Sequence, residues 1–337
     1  MNKRLKKILQ YTVFFGIGLF LTYWQYSKMT AAEKDIFAES IKNANYIYLV
    51  PVVILSLCSH ISRAIRWRYL MVPMGYKPLL SNTFATVMIG YLVNSLAPRA
   101  GEIAKCSLLG KREKIPFEKL IGTILIERAI DLLCYFVIIL ITVLLQYQRI
   151  SEFVVDMFAN SVKQGNMHPL LKLTLIVFII TIIVILIKYL LKKYTNHKLI
   201  DGLKHKISGV QDGFKSIKNL QNAKLFWFHT LLIWFCYLMQ IYVGFNAMEF
   251  TQHLGIDASF AVLTLGTLAM ILTPGGIGSF PIAVAKVLVL YNISNAQAES
   301  FGWVMWGATT AIIFVVGTLS FVWFEYVKVK AQPNENT

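Results

Sequence analysis

The stretch Asn94-Ser95-Leu96-Ala97-Pro98-Arg99-Ala100-Gly101-Glu102 interrupts one apolar run, and Leu272-Thr273-Pro274-Gly275-Gly276-Ile277-Gly278 interrupts another far downstream. Proline removes a backbone donor and clashes with the preceding helical turn, while glycine opens backbone angles closed to other residues. Pro98 with Gly101, and Pro274 with Gly275, Gly276 and Gly278, therefore stop a helix inside a hydrophobic stretch. Backbone N–H and C=O groups freed in lipid are costly, so such breaks persist only where protein or trapped water satisfies them. Paired breaks in the two halves of a membrane chain point to a transport site.

The rest of the chain fits that setting. Of 337 residues, 56% are hydrophobic and 15% charged, and the mean hydropathy is +0.59; soluble domains carry about 25% charged residues. No polar stretch is long enough to bury a core of its own, so residues 1–337 read as a single membrane domain with its core at 8–326. The formal charge of +16 does not mark a nucleic-acid binder: the lysines and arginines flank apolar segments instead of forming one basic face with aromatic platforms. They read as topology signals and contacts to anionic headgroups. Cys58, Cys106, Cys134 and Cys236 are scattered, with no C-x-x-C pair to suggest a metal or redox centre. Lys3, Arg4, Lys6 and Lys7 precede an apolar run that ends in Tyr23, Trp24 and Tyr26, which reads as a retained first helix.

Spans are expected at Ile8–Gln25, Tyr46–Arg66, Leu120–Gln146, Pro169–Leu190, Leu225–Ala247 and Phe301–Tyr326. Ser81–Leu96 is too short to cross comfortably, since a span takes about 20 residues. Lys105, Lys111, Arg112, Lys114 and Lys119 then place the chain back on the cytoplasmic side. The expectation is a re-entrant hairpin, Ser81–Leu96 in and Glu102–Leu109 out. A second, from the opposite face, has arms Ala258–Thr273 and Ile277–Tyr291. The fold class is thus an all-α integral membrane protein of about six full spans and two oppositely oriented re-entrant hairpins. The kinship of Leu-Ala-Pro-Arg-Ala-Gly with Leu-Thr-Pro-Gly-Gly-Ile-Gly hints at an inverted repeat. With this arrangement the positive-inside rule holds at every loop, in a multi-pass protein of the cell membrane with both termini cytoplasmic. Between the fourth and fifth spans, Leu199, Leu203, Ile207, Val210, Phe214 and Ile217 make one apolar stripe among lysines, the pattern of an interfacial helix over 196–222.

Charges inside apolar segments are the candidate chemistry. At 1.5 Å per residue, Glu127 lies about 10 Å into its span and Asp131 about 17 Å, and their spacing of four puts them on one face. Arg128 is rotated away. Arg99 and Glu102 sit at the first break, and Lys286 on the returning arm of the second. Ion pairs such as Arg99–Asp131 or Arg128–Glu102 would staple hairpins to the bundle, but buried pairs alone stabilise poorly, so the cluster reads as a polar cavity. Asn94 suits capping of freed backbone or contact with a ligand. Arg63 and Arg66 suit a phosphate headgroup at the cytoplasmic surface, or snorkelling. His60 and His229 read as hydrogen-bonded core residues. No hydrolase, nucleotide-binding or metalloprotease motif is present, and Glu127 with Asp131 is a weak metal site; no cofactor or metal is expected.

Four ordered motifs carry a resemblance: R-x-x-R-W (Arg63, Arg66, Trp67), N-x-x-x-P-R-x-G-E (Asn94, Pro98, Arg99, Gly101, Glu102), E-R-x-x-D (Glu127, Arg128, Asp131) and T-P-G-G-I-G from Thr273 to Gly278. Together they resemble the transmembrane, flippase-like region of lysylphosphatidylglycerol synthase over nearly the whole chain. The resemblance implies movement of phospholipid between leaflets, without the soluble synthase domain and so without synthase activity. One departure stands out: where many relatives carry a glutamate three residues after the last glycine of the second motif, this chain has Pro281.

The expected function is a lipid flippase or transporter. Arg99, Arg128 and Lys286 would hold a phosphate headgroup, and Glu102, Glu127 and Asp131 would balance that charge or bind a cationic headgroup moiety. The expected partners are anionic or zwitterionic phospholipids or a lipid-linked substrate; a homo-oligomer is compatible with the composition. The alternatives are a membrane-embedded transferase acting on a lipid-linked substrate and a small-solute secondary transporter.

Overall fold

The computed structural model of the chain describes residues 16, 20, 22–97, 100–146, 220 and 222–327. Among these, every regular element is helical. A helical stretch at 22–28 precedes α1 (Ala31–Lys42), which is opened by a reciprocal cap: Thr30 Oγ accepts from the Glu33 N–H, and the Glu33 carboxylate accepts from the Thr30 N–H. Helix α2 (Leu49–Met71) stops where Pro73 cannot continue it and Gly75, at φ 85°, turns the chain. Helices α3 (Leu80–Leu96) and α4 (Ala100–Glu113) flank the first break. Helix α5 (Phe117–Leu145) and α6 (Ala223–Gly244) follow. Helices α7 (Ile256–Leu272) and α8 (Ser279–Val289) flank the second break, and α9 (Asn295–Tyr326) closes the described chain.

Four segments are long and apolar enough to cross a membrane: Tyr46–Met74, Phe117–Leu145, Ala223–Ala247 and Asn295–Tyr326. They match four of the six expected spans. The expected spans Ile8–Gln25 and Pro169–Leu190, and the interfacial helix at 196–222, fall wholly or largely outside the described residues. The first hairpin's returning arm is longer than its apolar run implied. Helix α4 extends through Lys111 and Arg112 to Glu113, whose carboxylate accepts from Asn82 Nδ2 at 2.5 Å and from the Leu79 N–H at 3.1 Å, tying the two arms together at their open end.

Helix α9 acts as a ruler for both hairpins. Near its start Gly302 abuts Pro281 of α8 so closely that an added Cβ would sit 2.7 Å from the proline Cα. One turn on, Trp306 Nε1 donates to the Gly275 carbonyl at 2.8 Å. Gly317 faces Met88 and Leu92 of α3. Near the end, Arg112 of α4 donates to the Phe324 carbonyl at 2.8 Å and lies over the Phe324 ring. From Gly302 to Phe324 is about 33 Å at helical rise. The two hairpins therefore lie end to end along α9, breaks toward each other and open ends apart. The breaks touch: a Cβ on Gly275 would meet Ser95 Cα at 3.6 Å.

Two apolar cores fill the ends of the bundle. One joins Trp67, Leu70, Leu109, Leu120 and Phe226. The other joins Val52, Ile138, Ile241, Phe245, Leu288 and Phe301. Burial of this kind removes apolar surface from solvent at about 25 cal/mol per Å² in water; in lipid, close packing and hydrogen bonds carry more of the association. Arg63 and Arg66 of α2, Lys105 of α4 and Glu127 and Asp131 of α5 lie beside the first of these cores, next to its members Ala64, Trp67, Cys106, Ile124 and Ile130.

Candidate functional site

Among the described residues, protein groups reach freed backbone at both breaks. Asn94 Oδ1 accepts from the Gly101 N–H at 2.8 Å, so Asn94 caps the first turn of α4. At the second break Gly275, Gly276 and Gly278 have φ of 60°, 71° and 71°, a region that side chains disfavour. Ser279 Oγ donates to the Ala269 carbonyl at 3.2 Å and also pairs with Thr273.

Against the core that holds Trp67 and Ile130 lies a compact ion cluster. Arg63 Nη1 donates to Glu127 Oε1 at 2.9 Å and to Asp131 Oδ2 at 2.8 Å, and its Nη2 donates to the Tyr237 hydroxyl at 3.2 Å. Arg66 donates to Asp131 Oδ1 at 2.7 Å and to Glu127 Oε1 at 3.0 Å. Lys105 Nζ reaches Glu127 Oε2 at 3.2 Å and stands 4.3 Å from the centre of the Trp67 ring. Trp67 is fixed in turn by donating to Thr123 Oγ1 at 2.8 Å. Three cations thus share two carboxylates, leaving one positive charge over. Arg66 is fully buried and Glu127 is 2% exposed, so little solvent is present to screen that charge.

Arg128 pairs with Glu102 at 2.7 Å on the rim, its side chain 52% exposed. Beside this pair Arg63, Gly90, Tyr91, Asn94, Lys105 and Arg128 line a crevice of about 10 Å³, room for a single water. Several buried polar atoms here lack partners: Nε of Arg63, Nε of Arg66, the Tyr91 hydroxyl and Glu102 Oε2. Buried donors without acceptors are costly, and here they are concentrated where positive charge is in excess.

The structure brings together most of the residues singled out from the sequence: Arg63, Arg66, Asn94, Gly101, Glu102, Glu127, Arg128 and Asp131. Of the two expected ion pairs, Arg128–Glu102 is present. Both oxygens of Asp131 are held by Arg63 and Arg66, while Pro98 and Arg99 lie outside the described residues. Lys286 stands apart, exposed on α8 at the other end of the bundle near Glu299. Pro281 is buried as the third residue of α8, where the missing N–H would have had no helical partner, and it serves as the packing surface for Gly302. His229 Nδ1 bonds Ser62 Oγ at 2.8 Å, and His60 packs against the Tyr91 ring. Three participants escaped the sequence reading. Lys105 read only as a topology charge on the returning arm Glu102–Leu109, although the apolar run Cys106–Gly110 separates it from Lys111. Tyr91 lies one turn before Asn94, on the same face of α3. Tyr237 had no local signal.

Paired helix breaks, long apolar helices and a buried charged cluster between them define an all-α, multi-pass membrane protein. The chain belongs to the family of the lysylphosphatidylglycerol synthase TM region, whose profile it matches over residues 8–317. It is also similar to the UPF0104 membrane protein MJ1595 of Methanocaldococcus jannaschii, 27% identical over 100 residues, which is 29% of this chain and 30% of that protein. No solved structure matches the chain.

Proposed function

We propose that this protein moves a lipid with a phosphate-bearing headgroup between the leaflets of the cell membrane. The observation that carries the reading is the surplus positive charge, with unpartnered guanidinium and phenol donors, held beside the break of the first hairpin, which the second break touches. In this reading the hairpins are re-entrant from opposite faces, the breaks meet near the midplane, and the termini and the Lys111 end are cytoplasmic. The phosphate would displace Glu102 from Arg128 and take donors from Arg63, Lys105 and Tyr91. Acyl chains would trail into lipid past the exposed apolar face of α5, which carries Leu125, Leu132 and Phe136. A crevice with room for one water does not admit a headgroup, so this conformation is the closed member of a pair, and transport requires the hairpins to part.

Reconstitution tests the reading. With a fluorescent phosphatidylglycerol in the inner leaflet, proteoliposomes should expose the label to an impermeant quencher faster than protein-free vesicles. Each charge-assisted contact contributes about 1.5–3 kcal/mol, or roughly ten- to a hundredfold in apparent affinity. Arg128→Ala should therefore slow exposure at limiting lipid by at least that lower factor, and Arg128→Lys by less. Quenching no faster than in empty vesicles would reject lipid transport.

A further inference from the structure

Helix α5 carries a polar stripe that continues beyond the ion cluster. Asp131, Tyr135, Thr142 and Gln146 recur at steps of four, seven and four, which puts them on one face of the helix. Tyr135, Thr142 and Gln146 are buried. Their face meets α7 as an antiparallel ladder. The Tyr135 hydroxyl donates to the Thr264 carbonyl at 2.8 Å. Thr142 Oγ1 lies 2.7 Å from Thr264 Oγ1 and 3.2 Å from the Phe260 carbonyl. Gln146 Nε2 donates to the Asp257 carbonyl at 3.0 Å and also to the Tyr291 hydroxyl, which donates in turn to Asp257 Oδ2 at 3.0 Å.

This ladder has a distinct station at each end. At one end Arg63 Nη2 of the ion cluster donates to the Tyr237 hydroxyl at 3.2 Å. The Tyr237 ring stands edge-on to Trp234, which lies nearly parallel to the Tyr135 ring at 6.4 Å. Trp234 Nε1 is buried and finds no oxygen acceptor. At the other end Asp257 and Tyr291, with His253 and Asn292, line a pocket of about 250 Å³, against about 10 Å³ for the crevice beside the cluster. No lysine or arginine lines that pocket. From Asp131 to Gln146 is about 22 Å at helical rise, most of a hydrocarbon core about 30 Å thick.

Hydroxyl bonds between membrane helices hold them together only modestly, and here they are easily exchanged. The α7 carbonyls that receive them lie inside that helix and keep their own backbone donors. Thr142 Oγ1 has a second acceptor on its own helix, the Ile138 carbonyl at 2.8 Å. Parting α5 from α7 therefore breaks no backbone ladder, and it frees Tyr135, Thr142, Thr264 and Gln146 to bond oxygens of another molecule. Leu140, Val143 and Leu144 of α5 and Leu265 and Leu268 of α7 are exposed apolar side chains on the same two helices.

We propose that the seam between α5 and α7 is the route by which a phosphate-bearing headgroup passes between the ion cluster and the pocket where α7 begins. The headgroup exchanges the seam's own hydrogen bonds for bonds to itself, and the acyl chains stay in lipid beside the exposed leucines. At the pocket, which offers no lysine or arginine, the phosphate is released to water instead of held. This inference rests on the transport reading above.

The test uses the full-length protein in proteoliposomes. In a variant lacking Cys58, Cys106, Cys134 and Cys236, Thr142→Cys is combined with Thr264→Cys; hydroxyls 2.7 Å apart put the two side chains within disulfide reach. Once oxidised, this variant should move a fluorescent phosphatidylglycerol no faster than protein-free vesicles do, and reductant should return it to the rate of the cysteine-free protein. Wild-type protein illuminated with a phosphatidylglycerol whose headgroup carries a photoreactive group should be labelled on residues 135–146 and 257–264, a readout that a purely structural seam does not give. Full-rate movement by the oxidised variant, with its disulfide confirmed by mass, would overturn the route. Headgroup label confined to other helices would overturn it too, and leave the transport reading standing. No lipid movement by wild-type protein would overturn the transport reading itself.

Discussion

Glu127 has the largest share of the cluster: Oε1 accepts from Arg63 and Arg66, and Oε2 faces Lys105. Glu127→Ala would leave three buried cations facing Asp131 alone. Breaking a buried pair in this way costs about 3–5 kcal/mol, so the variant is expected to accumulate poorly and to melt well below wild type in detergent, as read by thermal unfolding on size exclusion. Lys105→Met leaves two arginines against two carboxylates, a balanced set, and is expected to fold with a much smaller loss while binding anionic lipid more weakly. Equal destabilisation by both substitutions would show that charge balance does not govern the site. The carboxylates were legible in the sequence because a spacing of four on a single helix is a local fact. Their partners were not, because Arg63 and Arg66 come from a helix more than sixty residues earlier in the chain, and nothing local says which face of α2 meets α5. Lys105 was grouped with the topology charges for a physical reason: on a returning arm, a lysine on the buried face and one at the cytoplasmic end look alike until the arm is seen to continue to Glu113.

The two hairpins depend on glycine in different ways. Gly276 has both a left-handed backbone and no room: an added Cβ would run into Met270 Sδ and lie 3.2 Å from Phe280 Cβ. Gly275 has the backbone angle, but its nearest neighbour is Ser95 at 3.6 Å, an ordinary contact. Gly275→Ala should thus show only the strain of a left-handed residue, about 1–2 kcal/mol, whereas Gly276→Ala should lose more stability and more lipid movement. Paired thermal unfolding and flipping rates check the order; equal losses would mean that the conformational strain alone decides. The bulkier Gly275→Leu and Gly276→Leu should still insert in the membrane and stop transport. At the first hairpin Gly101 is needed for space, since a Cβ there would collide with the Gly90 carbonyl and the Asn94 side chain. These breaks were readable because proline and glycine act on their own backbone. That the breaks meet, and that Trp306 from α9 satisfies one of them, was not readable, because tip-to-tip contact is a product of how two hairpins share one long helix.

At the scale of the whole molecule the structure sorts the loops into two ends. Arg112 against Phe324 puts the open end of the first hairpin with the end of α9, and the Asn45 N–H bonded to the Ala247 carbonyl at 2.7 Å joins two loops at the opposite end. The first group carries Arg68, Lys77, Lys111, Lys114 and Lys119; at the opposite end residues 245–255 and 290–294 carry no lysine or arginine, with Lys42 before the Asn45 turn and Lys286 on α8 the basic residues nearest them. In the proposed transport reading, the positive-inside rule puts the first group in the cytoplasm. In a variant lacking Cys58, Cys106, Cys134 and Cys236, Lys77→Cys and Lys111→Cys should react with an impermeant thiol reagent only after the cells are opened. Gln252→Cys and Ser294→Cys should react in intact cells. The inverse pattern would keep the two-ended bundle and reverse its orientation. Labelling of Lys111→Cys and Gln252→Cys from the same side would break the arrangement itself, because two hairpins stacked end to end along α9 cannot present both of those loops to one face of a membrane.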